Sequence, residues 1–204
     1  MQSLVGILAY GSLVDDPGTE IAQALVRTLK DGILTPFCVE FARESRTRAG
    51  APTLIPVAQG GAQVRAQIHV LNVPEQEAAN RLWRRETGRV GQTQRTYARP
   101  AKAGANDVLV ERLENFHGVG IVLYTSIGQT IPAPTPQDLA ERAIASARKL
   151  VDGRDGIAYL MAAKANGIVT GLSAAYEAEI LRLTGRTTLD EALVSTRPPR
   201  SAVQ

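Results

Sequence analysis

The sequence predicts an α+β protein: a small mixed or antiparallel β-barrel, flanking helices and a helical C-terminal region. Three observations predict it. Runs with a period of two residues crowd the first 128 positions, and runs with helical spacing fill positions 135–195. The early strands are joined by short connections, which suits a sheet that curls or closes on itself. Residues 1–195 are expected to form one domain, with 196–204 as a flexible tail.

Residues 4–10 are a short apolar run stopped by Gly11, the pattern of a buried strand. Asp16 and Pro17 read as an N-cap followed by proline at the first helical position. Ile21, Leu25 and Leu29 recur every four residues before Gly32, so one amphipathic helix is expected there. Phe37, Val39 and Phe41 alternate with Cys38, Glu40 and Ala42, which is strand periodicity. Val64, Ala66, Ile68 and Val70 alternate with Arg65, Gln67, His69 and Leu71 in the same way. Residues 108–113 and 120–126 give two more strands. Residues 53–57 read as a short edge segment, because Pro56 cannot donate to a ladder.

Residues 74–86 read as a helix with Ala78, Ala79, Leu82 and Trp83 on one face. Pro132, Pro134 and Pro136 mark a hinge, and Thr135 to Asp138 resembles a capping box with a shorter acid. Leu139, Ala143, Ala147 and Leu150 continue as a helical stripe. Residues 173–184, closed by Gly185, predict another helix, and Thr188 opens a last short one. The chain from Arg197 reads as a loose end.

Composition narrows the function. The chain has 204 residues, 44% hydrophobic and 21% charged, which is ordinary for a globular protein. Cys38 is the single cysteine, so an internal disulfide and a Cys-rich zinc site are excluded. The only histidines are His69 and His117, so a metal centre built on several His ligands is not expected. Carboxylates remain able to hold a hard cation. The formal net charge is +3 and the pI about 9.2, which raises nucleic acid as a partner. The charge is small for this length, only 4% of residues are aromatic and the arginines are scattered, so no nucleic-acid partner is expected. No run is apolar enough to span a membrane, and the N-terminus lacks a basic region followed by an apolar one. A cytoplasmic protein acting on a small molecule is the expectation. The sequence leaves the oligomeric state open.

Two places carry residues suited to chemistry. The first is Tyr10-Gly11-Ser12-Leu13, where a strand ends and glycine permits a tight turn. Backbone N–H groups after such a turn can form a nest for a carboxylate or an oxyanion. A plain strand-to-helix turn explains the same four residues. The second is Glu86, four positions after Leu82 and seven after Ala79, and so on the apolar side of its helix. A buried carboxylate there would be tuned upward for proton transfer near neutral pH. From spacing alone a surface ion pair with Arg84, Arg85 or Arg89 is the simpler reading. Arg43, Arg46 and Arg48 follow a strand and suit bidentate carboxylate recognition or a solvated basic loop. His117 to Gly120 holds a Gly-x-Gly that precedes a strand and lacks a dinucleotide fingerprint. Ser12 lacks the setting of a nucleophile elbow, and Cys38 reads as a small hydrophobe in the sheet.

Taken in order, these segments resemble the γ-glutamyl cyclotransferase-like superfamily, and most of all its ChaC branch. Residues 8–13, Leu-Ala-Tyr-Gly-Ser-Leu, look like the N-terminal substrate loop. Residues 45–50, with Arg48 before Ala49 and Gly50, resemble a Ser…Arg-Gly segment. Residues 82–86, Leu-Trp-Arg-Arg-Glu, look like the segment that ends in the catalytic glutamate. Residues 121–126, with Tyr124, resemble a late strand that carries a tyrosine, and residues 157–168 resemble the C-terminal helical region. Together they span most of the chain in the family's order.

The chain departs from the branch at Val14-Asp15-Asp16, where a Trp is usual, at Gly88-Arg89-Val90-Gly91, where a Tyr is usual, and around Arg65-Ala66, where the family has a Gly. These departures bear on the substrate more than on the fold. The resemblance implies a lyase that releases 5-oxoproline from glutathione or a related γ-glutamyl compound. It implies Glu86 as general acid and base, with Tyr10, Gly11, Ser12, Leu13, Arg48 and Tyr124 binding substrate, and no metal or organic cofactor. The same resemblance leaves room for another γ-glutamyl amine as substrate, or for a γ-glutamyl-binding protein without turnover.

Overall fold

The computed structural model describes residues 4–149 and 154–198. They fall into two compact units, each assembled from separate stretches of chain. One holds the described residues up to Pro36 together with Val64–Gly128, and the other holds Phe37–Gln63 with the described residues from Gln129 onward. Helices and strands are both present throughout, as the α+β class requires.

The first unit contains β1 (Val5–Ala9), β2 (Leu25–Leu29), β5 (Gln67–Leu71), β6 (Leu109–Phe116) and β7 (Val119–Ser126) in one sheet of order β2-β5-β1-β7-β6. Strand β1 lies at the centre, antiparallel to β5 and parallel to β7. All five of its residues are buried, so it is a continuous apolar run rather than an alternating one. Val5, Ile7 and Ala9 join Leu13, Ile21, Leu71 and Leu123 in a core that α2 (Glu75–Glu86) seals with Ala78 and Leu82. Gly6 lies where β1 must pass its neighbours closely. A Cβ there would stand 2.7 Å from the Ile68 Cγ2 methyl and 3.0 Å from that of Val122.

The expected barrel does not form. Among the described residues β2 and β6 are the two edges of an open five-stranded sheet. Residues 37–63 supply a separate antiparallel pair, β3 (Val39–Ser45) and β4 (Ala51–Pro56), instead of closing that sheet. Period-two patterning marks a segment as a strand but says nothing about its partner.

The single helix expected before Gly32 also divides. Only Thr19–Ala24 is helical, as α1, and the next five residues are β2, paired antiparallel with β5. The recurrence of Ile21, Leu25 and Leu29 is not a buried stripe, because Leu25 is 38% exposed. Thr28 is β-branched and suits the pleated edge, where it pairs with His69 of β5, while Val26 sits at the register shift between Leu25 and Arg27.

The second unit joins β3 and β4 to α3 (Pro136–Ala147), α4 (Gly156–Ala165), α5 (Ser173–Thr184) and α6 (Leu189–Thr196). Phe41 meets Tyr159 and Tyr176 edge-on, with ring centroids 6.2 and 5.2 Å away. The buried Glu40 carboxylate accepts from the Phe41 and Leu172 amides and from the Thr170 hydroxyl, which fixes the entry to α5. In this unit the caps fall where the sequence places them, whereas α1 begins at Thr19 with Gly18 as its N-cap, not with Asp16 and Pro17. The Thr135 side chain accepts from the Asp138 amide, and Thr188 with Glu191 forms a full capping box. Residues 196 and 197 are not part of a loose tail: α6 runs through Thr196, and Arg197 Nη2 donates to Asp155 Oδ2 at 3.0 Å. Leu150 and residues 199–204 lie outside the described residues. Among those that are described, no helix is long and apolar enough to cross a membrane.

Gly6→Ala overpacks the centre of the first sheet. It should lower stability by about 1–3 kcal/mol, read as a lower midpoint in urea unfolding.

Candidate functional site

Three consecutive residues at the end of α2, Arg84, Arg85 and Glu86, point in directions ~100° apart around the helix axis. Each therefore meets a different neighbour, and together they organise the first unit.

Arg84 turns inward and is 1% exposed. Its Nε donates to Glu20 Oε2 at 2.8 Å, and its Nη2 donates to the same oxygen. Its Nη1 donates to the Arg95 carbonyl at 2.9 Å. The other Glu20 oxygen accepts from the Gly91 amide at 2.5 Å. Arg81 adds a bond from Nη1 to the Glu20 carbonyl at 2.5 Å and one from Nε to Glu77 at 2.7 Å. Burial pushes the Glu20 carboxyl up, but the Arg84 bond, the Gly91 amide and the charges of Arg84 and Arg81 outweigh it and hold it below its usual range. Of the three arginines that spacing offered as ion-pair partners for Glu86, Arg85 makes the pair, and Arg84 turns to Glu20 instead. A polar line spaced by four residues, Gln76-Asn80-Arg84, grips the chain that follows the helix. Gln76 donates to the Tyr97 carbonyl, Asn80 accepts from the Tyr97 amide, and Arg84 holds Arg95. That spacing is visible in the sequence as a stripe beside the apolar face.

Arg85 turns toward the loop at the end of β1. Its Nη1 donates to Glu86 Oε1 at 2.6 Å, and its Nη2 donates to Ser12 Oγ at 3.1 Å. Nε and Nη2 also donate to the Asp16 carbonyl at 3.1 and 2.6 Å. One planar guanidinium thus spans the proposed acid, the loop hydroxyl and the loop backbone. The Glu86 side chain is 24% exposed, so it is neither sealed in the core nor free in solvent. Its second oxygen accepts no hydrogen bond among the described residues.

The loop is a single 3-10 turn over Gly11–Leu13, with Gly11 at φ +61°. Glycine takes that conformation without strain. The first amides of a helical turn, here Gly11 and Ser12, have no partner within the turn, and Tyr10 does not cap them through its side chain. The Tyr10 hydroxyl donates to the Thr125 carbonyl at 3.1 Å, beside Tyr124 on β7. Tyr124 is half-buried and pairs across the ladder with Glu111. Burial first, then the Glu111 charge, raise its phenol above the ordinary value. Because β1 and β7 run parallel, Tyr10 follows β1 at the end of the sheet toward which Tyr124 lies in β7. Tyr10, Gly11, Ser12, Leu13 and Glu86 are therefore joined directly or through Arg85, with Tyr124 next to the Tyr10 anchor.

His69 supports the loop from beneath. Its Nε2 lies 3.2 Å from the Leu13 carbonyl and its Nδ1 lies 3.2 Å from Thr28 Oγ1. A carbonyl only accepts, so Nε2 carries the proton and Nδ1 accepts from Thr28. Burial lowers the imidazole pKa; the Leu13 bond opposes this and the Lys30 charge adds to it.

Arg48 belongs to the second unit. Its guanidinium carbon lies 4.1 Å above the Tyr159 ring, and its carbonyl accepts from Ser146. Those contacts show packing within that unit and assign it no ligand. Among the described residues no group of three His, Cys, Asp or Glu side chains is placed to hold a metal ion. Sequence reasoning missed Arg85 as the joint, and it missed Glu20 and His69, whose partners lie 64 and 56 residues away in the chain.

In comparisons with known proteins no family model, curated protein or solved structure matches this chain.

Arg84→Met leaves Glu20 buried without its cation and should cost about 3–5 kcal/mol, measured by urea unfolding. A second expectation concerns pH. The folded state disfavours protonated His69, so the unfolded chain binds that proton more readily. Stability should fall as pH drops below about 6.5, the unfolded imidazole value. His69→Gln should flatten that part of the profile, and an unaltered profile in the variant would contradict the assignment.

Proposed function

We propose that this chain is a γ-glutamyl cyclotransferase of the ChaC-like kind, a cytoplasmic lyase that releases 5-oxoproline from glutathione or a related γ-glutamyl compound. The observation that carries the reading is the Arg85 bridge, which brings Glu86 and the Tyr10-Gly11-Ser12-Leu13 loop into one constellation. In the sequence they are 73 residues apart, counted from Ser12 to Arg85.

The reaction is internal. The α-amine of the γ-glutamyl group attacks its own γ-carbonyl carbon, a ring C–N bond forms, and the original amide C–N bond breaks. Glutathione would give 5-oxoproline and Cys-Gly. Glu86 takes a proton from the substrate ammonium through the oxygen that Arg85 leaves unengaged, and returns one to the departing nitrogen. The open amides of Gly11 and Ser12 bind the glutamyl head group or the developing oxyanion. Holding amine and carbonyl in attack geometry supplies about 7–11 kcal/mol of the barrier reduction. Tyr124 lines the side where Tyr10 is anchored. Arg48 has no role in this scheme.

Glu86→Gln keeps the size and a hydrogen-bond acceptor for Arg85 but cannot carry the proton. It should cut 5-oxoproline release roughly 10²–10⁴-fold while circular dichroism stays unchanged. Full activity in the variant would remove Glu86 from the mechanism.

A further inference from the structure

The turn that ends α2 carries a fourth arginine with a different character. The Gly88 amide bonds back to the Arg85 carbonyl at 3.3 Å, and the Arg89 amide to the Arg84 carbonyl at 2.7 Å. Gly88 sits at φ +68°, which lets the chain reverse there. The reversal folds Arg89 back over the helix, with its guanidinium carbon 4.8 Å from the centroid of the Trp83 ring. Trp83 precedes Glu86 by three residues. Side chains at that spacing are neighbours, with Cβ atoms about 5–6 Å apart. The Arg89 cation is thus held against the last turns of α2, the segment that also carries the proposed acid.

Its neighbours are all committed. Arg81 is held by Glu77 and the Glu20 carbonyl, Arg84 by Glu20, Glu77 and Arg95, and Arg85 by Glu86, Ser12 and Asp16. The Arg89 side chain makes no hydrogen bond and no ion pair among the described residues, and it is only half-buried. Stacking fixes a guanidinium through its face and leaves the in-plane N–H fork open, the geometry that receives a carboxylate bidentately.

We infer that Arg89, stacked on Trp83, is a specificity-determining residue that receives a carboxylate on the amine portion of the γ-glutamyl substrate. This rests on the proposed cyclotransferase activity and refines its substrate class. Preferred substrates are γ-glutamyl amino acids or peptides with a free carboxylate, and neutral γ-glutamyl amines are poor ones.

The test compares γ-glutamyl-glycine with γ-glutamyl-glycinamide, which differ in that one charge. Release of 5-oxoproline is measured with the wild type, Arg89→Met and Arg89→Lys. The wild type should favour the acid by roughly tenfold or more in kcat/KM, through KM. Arg89→Met should erase that preference by raising KM for the acid, with kcat and amide turnover unchanged, and Arg89→Lys should restore part of it. Undiminished amide turnover also shows that the variant is folded. Turnover without preference in the wild type, or an equal preference in Arg89→Met, overturns the inference and leaves the cyclotransferase reading standing. No 5-oxoproline from either compound with the wild type overturns the inference, and none from glutathione as well overturns both.

Discussion

The guanidinium of Arg85 is the joint on which the candidate site depends. Without it, the end of α2 and the end of β1 share an apolar core but lack this polar link. With it, a carboxylate, a hydroxyl and a backbone carbonyl from two distant stretches of chain share one rigid plane. Arginine suits this task because its donors are fixed in a fork, so satisfying one acceptor sets the direction toward the others. A lysine would supply charge but not direction.

The joint needs a firm base, and Arg84 supplies it. Adjacent residues on a helix diverge, so one arginine can be spent on the interior while the next faces the loop. The buried Glu20–Arg84 pair ties α1, α2 and the segment around Gly91 to Arg95 into one block. A buried ion pair of this kind adds little net stability over an apolar substitute, but losing either partner is costly. Its consequence here is orientation: it fixes the rotation of α2 and with it the direction of Arg85 and Glu86. His69 does the same from the sheet by holding the Leu13 carbonyl.

Much of this was legible in the sequence, and what was not has a physical reason. The buried central strand, α2 with its apolar face, and the threonine caps of α3 and α6 follow from local pattern, because periodicity and capping are properties of neighbouring residues. Strand β2 was read as helix because three aliphatic residues spaced by four mimic a buried stripe; pairing with β5 decided the matter, and that is a tertiary event. Barrel closure failed as an expectation for the same reason, since residues 37–63 are strands but pair with each other. For the site, the sequence pointed to Glu86 and to the Tyr10–Leu13 loop by resemblance. It offered Arg85 as one of three surface partners for Glu86, but not as the link to the loop. Arg48 takes its ligand role from resemblance alone, and its described contacts, the Tyr159 ring and Ser146, do not decide that role.

The account's central claim is that the loop and the acid serve one ligand. Amide resonances of ¹⁵N-labelled Glu86→Gln protein, titrated with γ-glutamyl-glycine, test it most directly, because the substrate stays intact. The account predicts that Gly11, Ser12 and Leu13 shift together with residues 85–87 and follow one binding curve. Shifts confined to another part of the chain, or two groups of residues titrating with different affinities, would contradict it.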